Sequence, residues 1–453
     1  MTGTIPTLGE ALRGSALWRI VALGVLMLLL FIPIGWINDL ISERTQRRQQ
    51  AVQEVSAKWG HPQTVSGPAL VVPYAVRWTE NDAKGVAVEK TERRRLTILP
   101  DQVHVHARID AENRYRGIFA VPVYRLAVEV NGEFVAPDLA ALNIDPALVE
   151  WSRSELALGI ADVRAVQNRA AVLWDGDTYA FVPGPGDFDG VDGGIHAAVA
   201  QPFRIPRVAF ALQLDINGSS GVYFTPVGQE TVVDIDSNWP DPSFQGNWLP
   251  AQRTVGAKGF SATWQIPFLG RNQPQVWTSA TKAPDLCATP FGVELITAVD
   301  EHRMAERSVK YAHLFILLTF GTIWLIEVLT RLRVHPIQYL LIGAALCIFY
   351  LLELSLAEQL GFGIAYLAAS AAVTGLIGAY GLVVLRGAGS AAGVAGVVAA
   401  LYAYLYVLVT NEDYSLLMGS LGLFVALAVT MYLTRSVDWY HLTGEPRLAD
   451  DVA

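Results

Sequence analysis

The run Ile20–Ile37, IVALGVLMLLLFIPIGWI, decides the class of this protein, because it contains 18 residues and no charged side chain. A helix rises about 1.5 Å per residue and the bilayer core is about 30 Å thick, so this run can span a membrane. Bulky residues follow its apolar stretch where a signal peptidase requires small ones, which favours an uncleaved anchor. Five further runs lie at about Tyr311–Leu329, Ile337–Leu356, Phe362–Leu385, Ala391–Val409 and Leu416–Thr434.

The charged residues of the chain are concentrated between the first and second apolar runs. Of the 75 Asp, Glu, Lys and Arg residues, 58 lie in residues 38–310. The whole chain of 453 residues is 52% hydrophobic, with a mean hydropathy of +0.34, which is too apolar for an ordinary soluble protein. One polar domain is therefore embedded in a membrane protein, which excludes a purely soluble enzyme and a compact all-helical transporter.

The net charge of −9 argues against nucleic acid as a partner, because binding to phosphates requires a clustered basic surface. Cys287 and Cys347 lie in different regions, so the fold is not expected to depend on a disulfide. No sequence motif calls for a cofactor or a metal ion. The expected partner is the lipid bilayer.

The basic residues of the short loops predict which way the spans run. With the amino terminus in the cytoplasm, the cytoplasmic side receives Arg13, Arg19, Arg331, Arg333, Arg386, Arg435 and Arg447. The opposite short loops carry Glu358, Glu412 and Asp413 and no base. Lys and Arg resist translocation, so both termini are predicted to be cytoplasmic and the polar domain periplasmic. Arg44, Arg47 and Arg48 oppose this orientation, but long domains are translocated largely regardless of charge.

These observations divide the chain into six segments. A helical stalk follows the anchor, because the sequence from Asn38 to Trp59 has no Gly or Pro and carries an apolar stripe. Such a stalk is either a lever between domain and membrane or a simple spacer. The segments are a cytoplasmic tail (1–19), the anchor helix (20–37), the stalk (38–60), a periplasmic β domain (61–310), a five-helix bundle (311–434) and a second cytoplasmic tail (435–453).

The polar domain has the alternating pattern of β-strands. Six segments read as strands: Thr97–Leu99, Val103–Ala107, Tyr124–Val130, Ala209–Ile216, Gly221–Phe224 and Thr231–Ile235. Short strands at this spacing favour an antiparallel, sandwich-like all-β fold. Asn131-Gly132 and Asn217-Gly218 are interpreted as type I′ hairpin turns, and Ala147–Val166 as an interrupting helix. The Pro- and Gly-rich stretch 183–194 is a loop that leaves both a one-lobe and a two-lobe arrangement open.

Three motifs of the polar domain suggest chemistry without specifying it. Residues 218–221, GSSG, lack the glycine spacing of a nucleophile elbow and are interpreted as a hairpin end. His104 and His106 share one strand face and could bind a metal, but no third ligand is evident, so they are interpreted as part of an exposed strand face. Asp187, Asp189 and Asp192 suggest weak calcium affinity but depart from the spacing of a calcium loop, so they are interpreted as a solvated acidic loop.

The candidate binding segment is rich in tryptophan and proline, residues that form rigid amphipathic surfaces for peptides, lipids or glycans. The alternative is that it covers an open end of the sandwich. Its candidate residues are Trp239, Pro240, Pro242, Ser243, Phe244 and Trp248.

The helical half contains two acids, Glu327 and Glu353, within apolar runs. Acids inside a membrane suggest function, such as a proton relay, but both lie near the ends of their runs, where they could instead reach the headgroups. The turn around Arg331, Arg333 and His335 is a candidate contact to anionic headgroups and a determinant of orientation.

The order of several motifs resembles the CreD family of inner-membrane cell-envelope proteins. Asn247 is a mild departure from the pattern. The matching segments are Ile41–Arg44, Gly60, Gly67–Pro68, Val72–Tyr74, Leu214–Ser219, Phe224–Gly228, Trp239–Gly246, Lys310–Ile316, Arg333–Tyr339, Phe349–Leu352 and Thr434–Tyr440.

The resemblance implies an inner-membrane protein connected with envelope integrity and, in some bacteria, with the response to β-lactams. It supplies no reaction and no catalytic residue. The leading hypothesis is therefore a non-enzymatic envelope-maintenance protein that binds through its periplasmic domain. The alternatives are a transporter or flippase-like component that uses the helices, and a membrane-bound hydrolase.

Overall fold

The computed structural model describes residues 16–81, 87–271, 273–281, 283–296, 301–330, 334–385, 387–411 and 414–435. It divides into two compact units, each with a core of its own. One unit is Met1–Arg47 with Val299–Ala453, and the other is Arg48–Ala298. The turn residues Arg331 and Arg333 lie outside the described residues.

Six helices are long and apolar enough to cross a membrane, one before the β-rich region and five after it, which confirms the expected class. A short helix with three basic residues precedes the second of them. The helices are α1 Ala16–Trp59, α2 Glu301–Lys310, α3 Ala312–Thr330, α4 Pro336–Leu360, α5 Phe362–Val384, α6 Ala388–Thr410 and α7 Ser415–Thr434.

Aromatic rings fill the core of the helical unit. Phe349 of α4 lies 4.3 Å from Tyr402 of α6 and 5.3 Å from Tyr366 of α5, measured between ring centroids. Phe315 of α3 contacts the same Tyr402 ring. Helices α3 to α6 therefore share one buried aromatic cluster. Helix α7 differs, because none of its residues is buried in the chain.

The described part of the β unit contains two mixed sheets that bury a common apolar core. One sheet has the strand order β13-β17-β11-β1-β5-β9-β8, with β2 on β1 and β16 on β2; the other has the order β14-β15-β12-β3-β4-β10-β6-β7. The strands are β1 Gln63–Asn81, β2 Ala87–Ile98, β3 Gln102–Arg116, β4 Phe119–Val135, β5 Glu155–Ile160, β6 Ala171–Trp174, β7 Asp177–Ala180, β8 Val182–Pro183, β9 Gly194–Ala198, β10 Arg207–Ser219, β11 Gly221–Phe224, β12 Glu230–Ser237, β13 Pro242–Gly246, β14 Gln252–Gly256, β15 Gly259–Pro267, β16 Val276–Thr278 and β17 Phe291–Leu295.

The alternating pattern placed the strands correctly. All six predicted segments fall within strands, with Leu99 just beyond the end of β2. Most strand pairs are antiparallel, as expected. Two are parallel, β1 with β11 and β3 with β12, and these were not foreseen, because pattern alone does not give strand direction.

The two predicted hairpin turns are wrong, since both dipeptides lie inside long strands. Asn131 and Gly132 are internal to β4, where Gly132 leaves room for the carbonyl of Gln102 and the ring of Phe210. Asn217 and Gly218 are internal to β10, where Gly218 leaves room for the hydroxyl of Tyr124. These glycines are required by the close approach of neighbouring strands and side chains and not by a positive φ. The chain turns instead at Ser220, which has a φ of 63° and connects β10 of one sheet to β11 of the other.

The helix expected at Ala147–Val166 is also wrong. That stretch contains short 3₁₀ turns and the strand β5. Strand β5 lies between β1 and β9 and is buried along nearly all of its length. A strand buried on both faces gives a continuous apolar run, which periodicity cannot separate from a buried helix.

Candidate functional site

The Trp- and Pro-rich segment contributes both to the core and to one edge of a sheet. Trp239 is only 8% exposed, and its indole nitrogen donates to the carbonyl of Ile296 at 2.8 Å. The half-buried ring of Phe244 packs edge-to-face against Trp264, which is fully buried. Trp248 is half-buried, and its carbonyl accepts from the Trp264 indole at 3.0 Å.

The remaining candidates of this segment lie nearer to solvent. Pro240 is exposed, and Pro242 and Ser243 are half-buried. Pro242, Ser243 and Phe244 belong to β13, which stands at one end of its sheet. The segment therefore combines buried aromatic anchors with a strand at a sheet edge.

The two histidines of β3 pair with aspartates of the parallel strand β12. His104 Nε2 lies 2.7 Å from Asp234 Oδ2, and His106 Nε2 lies 3.9 Å from Asp236 Oδ2. Thr263 of β15 donates to the other oxygen of Asp234 at 2.6 Å. The described residues contain no group of three His, Cys, Asp or Glu side chains that could hold a metal ion.

The acidic loop is tied to β2 by an arginine. Arg95 lies 2.7 Å from a carboxylate oxygen of Asp189 and 3.4 Å from one of Asp187. The arginine offsets the negative charge of these carboxylates, which would otherwise attract a calcium ion.

His335 and Glu327 stabilise the start of α4. His335 is its N-cap: its Nδ1 accepts from the amide of Ile337 at 3.3 Å, and its own amide donates to Gln338 at 2.9 Å. Glu327 of α3 is buried and accepts a hydrogen bond of 3.0 Å from the hydroxyl of Tyr339. These contacts join the end of α3 to the start of α4.

Glu353 is the most unusual group of the helical unit, because its side chain is 1% exposed. One carboxylate oxygen accepts a hydrogen bond of 2.8 Å from Ser308 of α2. The other oxygen has no hydrogen-bond partner within the described part of the chain, and the same is true of the buried hydroxyls of Tyr350 and Tyr402. Tyr350, Tyr366 and Tyr402 all pack against Phe349 in the buried aromatic cluster. Glu353 therefore faces the interior of the bundle and does not reach its surface.

A groove of about 520 Å³ between α5 and α6 borders this cluster. Tyr366 and Tyr402 line the groove, as do small residues such as Gly363, Ala399 and Ala403. The Tyr366 hydroxyl donates to the carbonyl of Tyr402 at 2.6 Å and so joins the two helices. The groove is therefore lined by aromatic and small side chains from both helices.

Sequence reasoning identified Glu353 but not the residues that surround it. Ser308 precedes the apolar run, and the tyrosines are single residues on three different helices. No local pattern signals that they converge. The one available signal was the amphipathic spacing of α2, which predicts a buried face that includes Ser308.

Comparison with known proteins identifies the family. The family model described as "Inner membrane protein CreD" matches residues 15–440. The chain belongs to the CreD family. It is 30% identical over 434 residues to the inner membrane protein CreD of Escherichia coli strain K12, with 95% of each chain covered.

Membership and the six apolar helices together make this a multi-pass protein of the inner membrane. The bilayer is therefore its environment. A crystal structure of an M1 zinc metallopeptidase mutant from Deinococcus radiodurans is 9% identical, with a TM-score of 0.19, over 47% of this chain and 53% of that one. A similarity this weak carries no argument about fold or activity.

Proposed function

We propose that this protein supports the integrity of the bacterial cell envelope without catalysing a reaction, by binding an envelope component or partner protein through a periplasmic β domain. One observation carries the proposal. A folded β unit with its own core, residues 48–298, is inserted between the first apolar helix and the other five. Such an arrangement holds a binding domain at a membrane surface.

The orientation proposed has both termini in the cytoplasm. Arg44, beyond the apolar part of α1, lies 3.5 Å from Glu358 near the end of α4, so these two residues belong to the same side of the membrane. With the amino terminus inside, both residues fall on the outer side. The pair also offsets the charge of one of the arginines that oppose this orientation.

The edge strand β13 is the proposed binding surface. It carries three of the candidate residues, Pro242, Ser243 and Phe244, and its inner edge pairs with β17. An edge strand can receive an extended segment of a partner through main-chain hydrogen bonds. The buried Trp239 and the half-buried Phe244 hold this segment against the core.

The test places charge on β13 without removing its anchors. The double variant Ser243→Lys, Gln245→Lys should lower survival under detergent or β-lactam stress in cells that lack the native gene, since lysines on an edge deter strand addition. Its abundance in the membrane should equal that of wild type. Thr254→Lys, on the exposed edge strand β14 of the other sheet, is the matched control and should behave as wild type. Full survival of the double variant would contradict the proposal.

Orientation has a separate test. In a Cys287→Ser background, Thr254→Cys should react with a membrane-impermeant maleimide in cells whose outer membrane has been permeabilised. Labelling only after lysis would place the β unit in the cytoplasm and refute the proposed location.

A second candidate function is transport through the helical bundle. It is favoured by the buried carboxyl group of Glu353 and by the groove between α5 and α6, because ionisable groups inside membrane helices mark ion and substrate pathways. Glu327→Gln combined with Glu353→Gln should then abolish stress tolerance at normal abundance, while the β13 variant retains it. Normal tolerance of the glutamine variant would reject this candidate.

A further inference from the structure

A second groove, of about 480 Å³, lies between α1 and the junction of α2 with α3, entirely within the helical unit. One wall is formed mainly by α1 and contains Phe31, Ile34 and Gly35. The opposite wall comes from α2 and the first residues of α3. The groove therefore combines an apolar side and a polar side at the ends of two apolar helices.

The polar wall is positively charged. Arg303, Arg307 and Lys310 line the groove and are spaced by four and three residues, so they share one face of α2. Glu306 is the one carboxylate among the lining residues, and the imidazole of His313 lies 4.5 Å from the Phe31 ring. Arg307 also donates to the carbonyl of Leu408 at 3.2 Å, which attaches this wall to α6.

The pairing of charge with an apolar wall limits what can bind here. A small inorganic anion would complement the positive charge of this wall but would gain nothing from Phe31 and Ile34. A hydrocarbon chain alone would gain nothing from the positive charge. A molecule with a phosphate group and an attached acyl chain matches both walls, and basic pockets between membrane helices bind anionic lipid headgroups in this way.

We infer that this groove binds an anionic phospholipid, with its phosphate against Arg303 and Lys310 and an acyl chain along Phe31 and Ile34. With the amino terminus in the cytoplasm, the lipid belongs to the outer leaflet of the inner membrane. The same inference explains why basic residues stand at a membrane boundary on the side where short loops disfavour them.

Gly35 provides a steric probe of the groove that leaves every charge in place. A Cβ added at Gly35 would have no atom within 4 Å, so a larger side chain there would occupy the groove without displacing the core. Gly24, on the same helix, is equally unobstructed but does not line the groove. Gly35→Leu and Gly24→Leu are therefore a matched pair.

The experiment measures the unfolding temperature of the purified full chain in detergent as phosphatidylglycerol, phosphatidylcholine or inorganic phosphate is added. Phosphatidylglycerol should raise the unfolding temperature with a saturable dependence, whereas the other two should not. A shift of equal size with phosphatidylcholine would overturn the inference. A shift with inorganic phosphate alone would also overturn it, because the groove would then be a simple anion site.

The variants locate the effect. Each basic residue near an anionic headgroup changes affinity by roughly fivefold, so Arg303→Gln with Lys310→Gln should weaken the apparent affinity roughly 25-fold. Gly35→Leu should abolish the shift and Gly24→Leu should leave it intact. Arg435→Gln, at the end of α7, controls for a general loss of charge and should keep wild-type affinity. All variants are first compared without lipid, and undiminished affinity in both the double variant and Gly35→Leu would refute the site.

Discussion

Ser308 donates a hydrogen bond of 2.8 Å to Glu353, and both side chains are almost completely buried. The hydrogen bond joins the short helix α2 to α4 in the interior of the bundle. A carboxyl group removed from water needs such a partner, because an unpaired buried polar group is costly. The interaction makes the first turns after the β unit part of the helical core.

Removal of the Ser308 hydroxyl should destabilise the helical unit. Ser308→Ala leaves a carboxylate oxygen of Glu353 without its donor, and such a loss costs about 1–3 kcal/mol. We expect a lower unfolding temperature in detergent, followed by tryptophan fluorescence. Ser420→Ala on the exposed helix α7 serves as the control and should be neutral. Glu353→Gln should remain at least as stable as wild type, since its amide oxygen still accepts a hydrogen bond from Ser308. If Ser308→Ala were as stable as wild type, the hydrogen bond would contribute nothing to the stability of the helical unit.

Gly218 should not tolerate a larger residue. An added Cβ would overlap the hydroxyl of Tyr124, which donates to the carbonyl of Gly221 at 2.7 Å. Overpacking of this kind costs about 1–3 kcal/mol, so Gly218→Ala should lower the unfolding temperature of the β unit. Gly256→Ala, where no atom lies within 4 Å, is the matched control. If the two variants were equally stable, the strand position of Gly218 would be in error.

Asp162 should make the stability of the β unit sensitive to acid. Hydrogen bonds from Arg164, at 3.0 and 3.1 Å, lower the pKa of Asp162 below its ordinary value, although desolvation opposes them. Because the folded-state pKa is depressed, the stabilisation is present above the unfolded-state pKa of about 3.9 and is lost as pH falls through the folded-state value.

The measurement compares thermal unfolding of wild type and Asp162→Asn from neutral pH to below pH 4. Wild type should be the more stable protein at neutral pH, and the difference should narrow below about pH 4. The difference in unfolding temperature between wild type and Arg164→Gln should narrow over the same pH range, because this variant removes the same hydrogen bonds. If the stability difference between wild type and these variants stayed constant with pH, the pair of Asp162 and Arg164 would not be the cause of the acid sensitivity.

Much of the architecture could be predicted because its signals are local. Run length alone gave the six apolar helices, and two-residue alternation gave strands such as β3, whose side chains alternate between buried and exposed. The errors fell where a local signal has two meanings. The two Asn-Gly dipeptides predicted turns but lie inside strands, and the sequence of the buried strand β5 was interpreted as part of a helix.

The candidate site in the helices was predictable only in part. The sequence identified Glu327 and Glu353 as acids inside apolar runs, but their distance from the ends of those runs suggested contact with headgroups. Helix packing turns both side chains inward, where Glu327 accepts a hydrogen bond from Tyr339 and Glu353 accepts one from Ser308. Which side of a helix is covered depends on its neighbours, and hydropathy contains no such information.

The sequence by itself determined that this is a membrane protein with a large β-rich insertion, because segment length, charge and alternation are properties of neighbouring residues. Only the tertiary structure decided which strands run parallel, that Trp239 and Trp264 serve as core anchors, and that α1, α2 and α3 form a basic groove. The physical reason is that these features join residues from distant parts of the chain, and their meeting is fixed by the packing of complete elements.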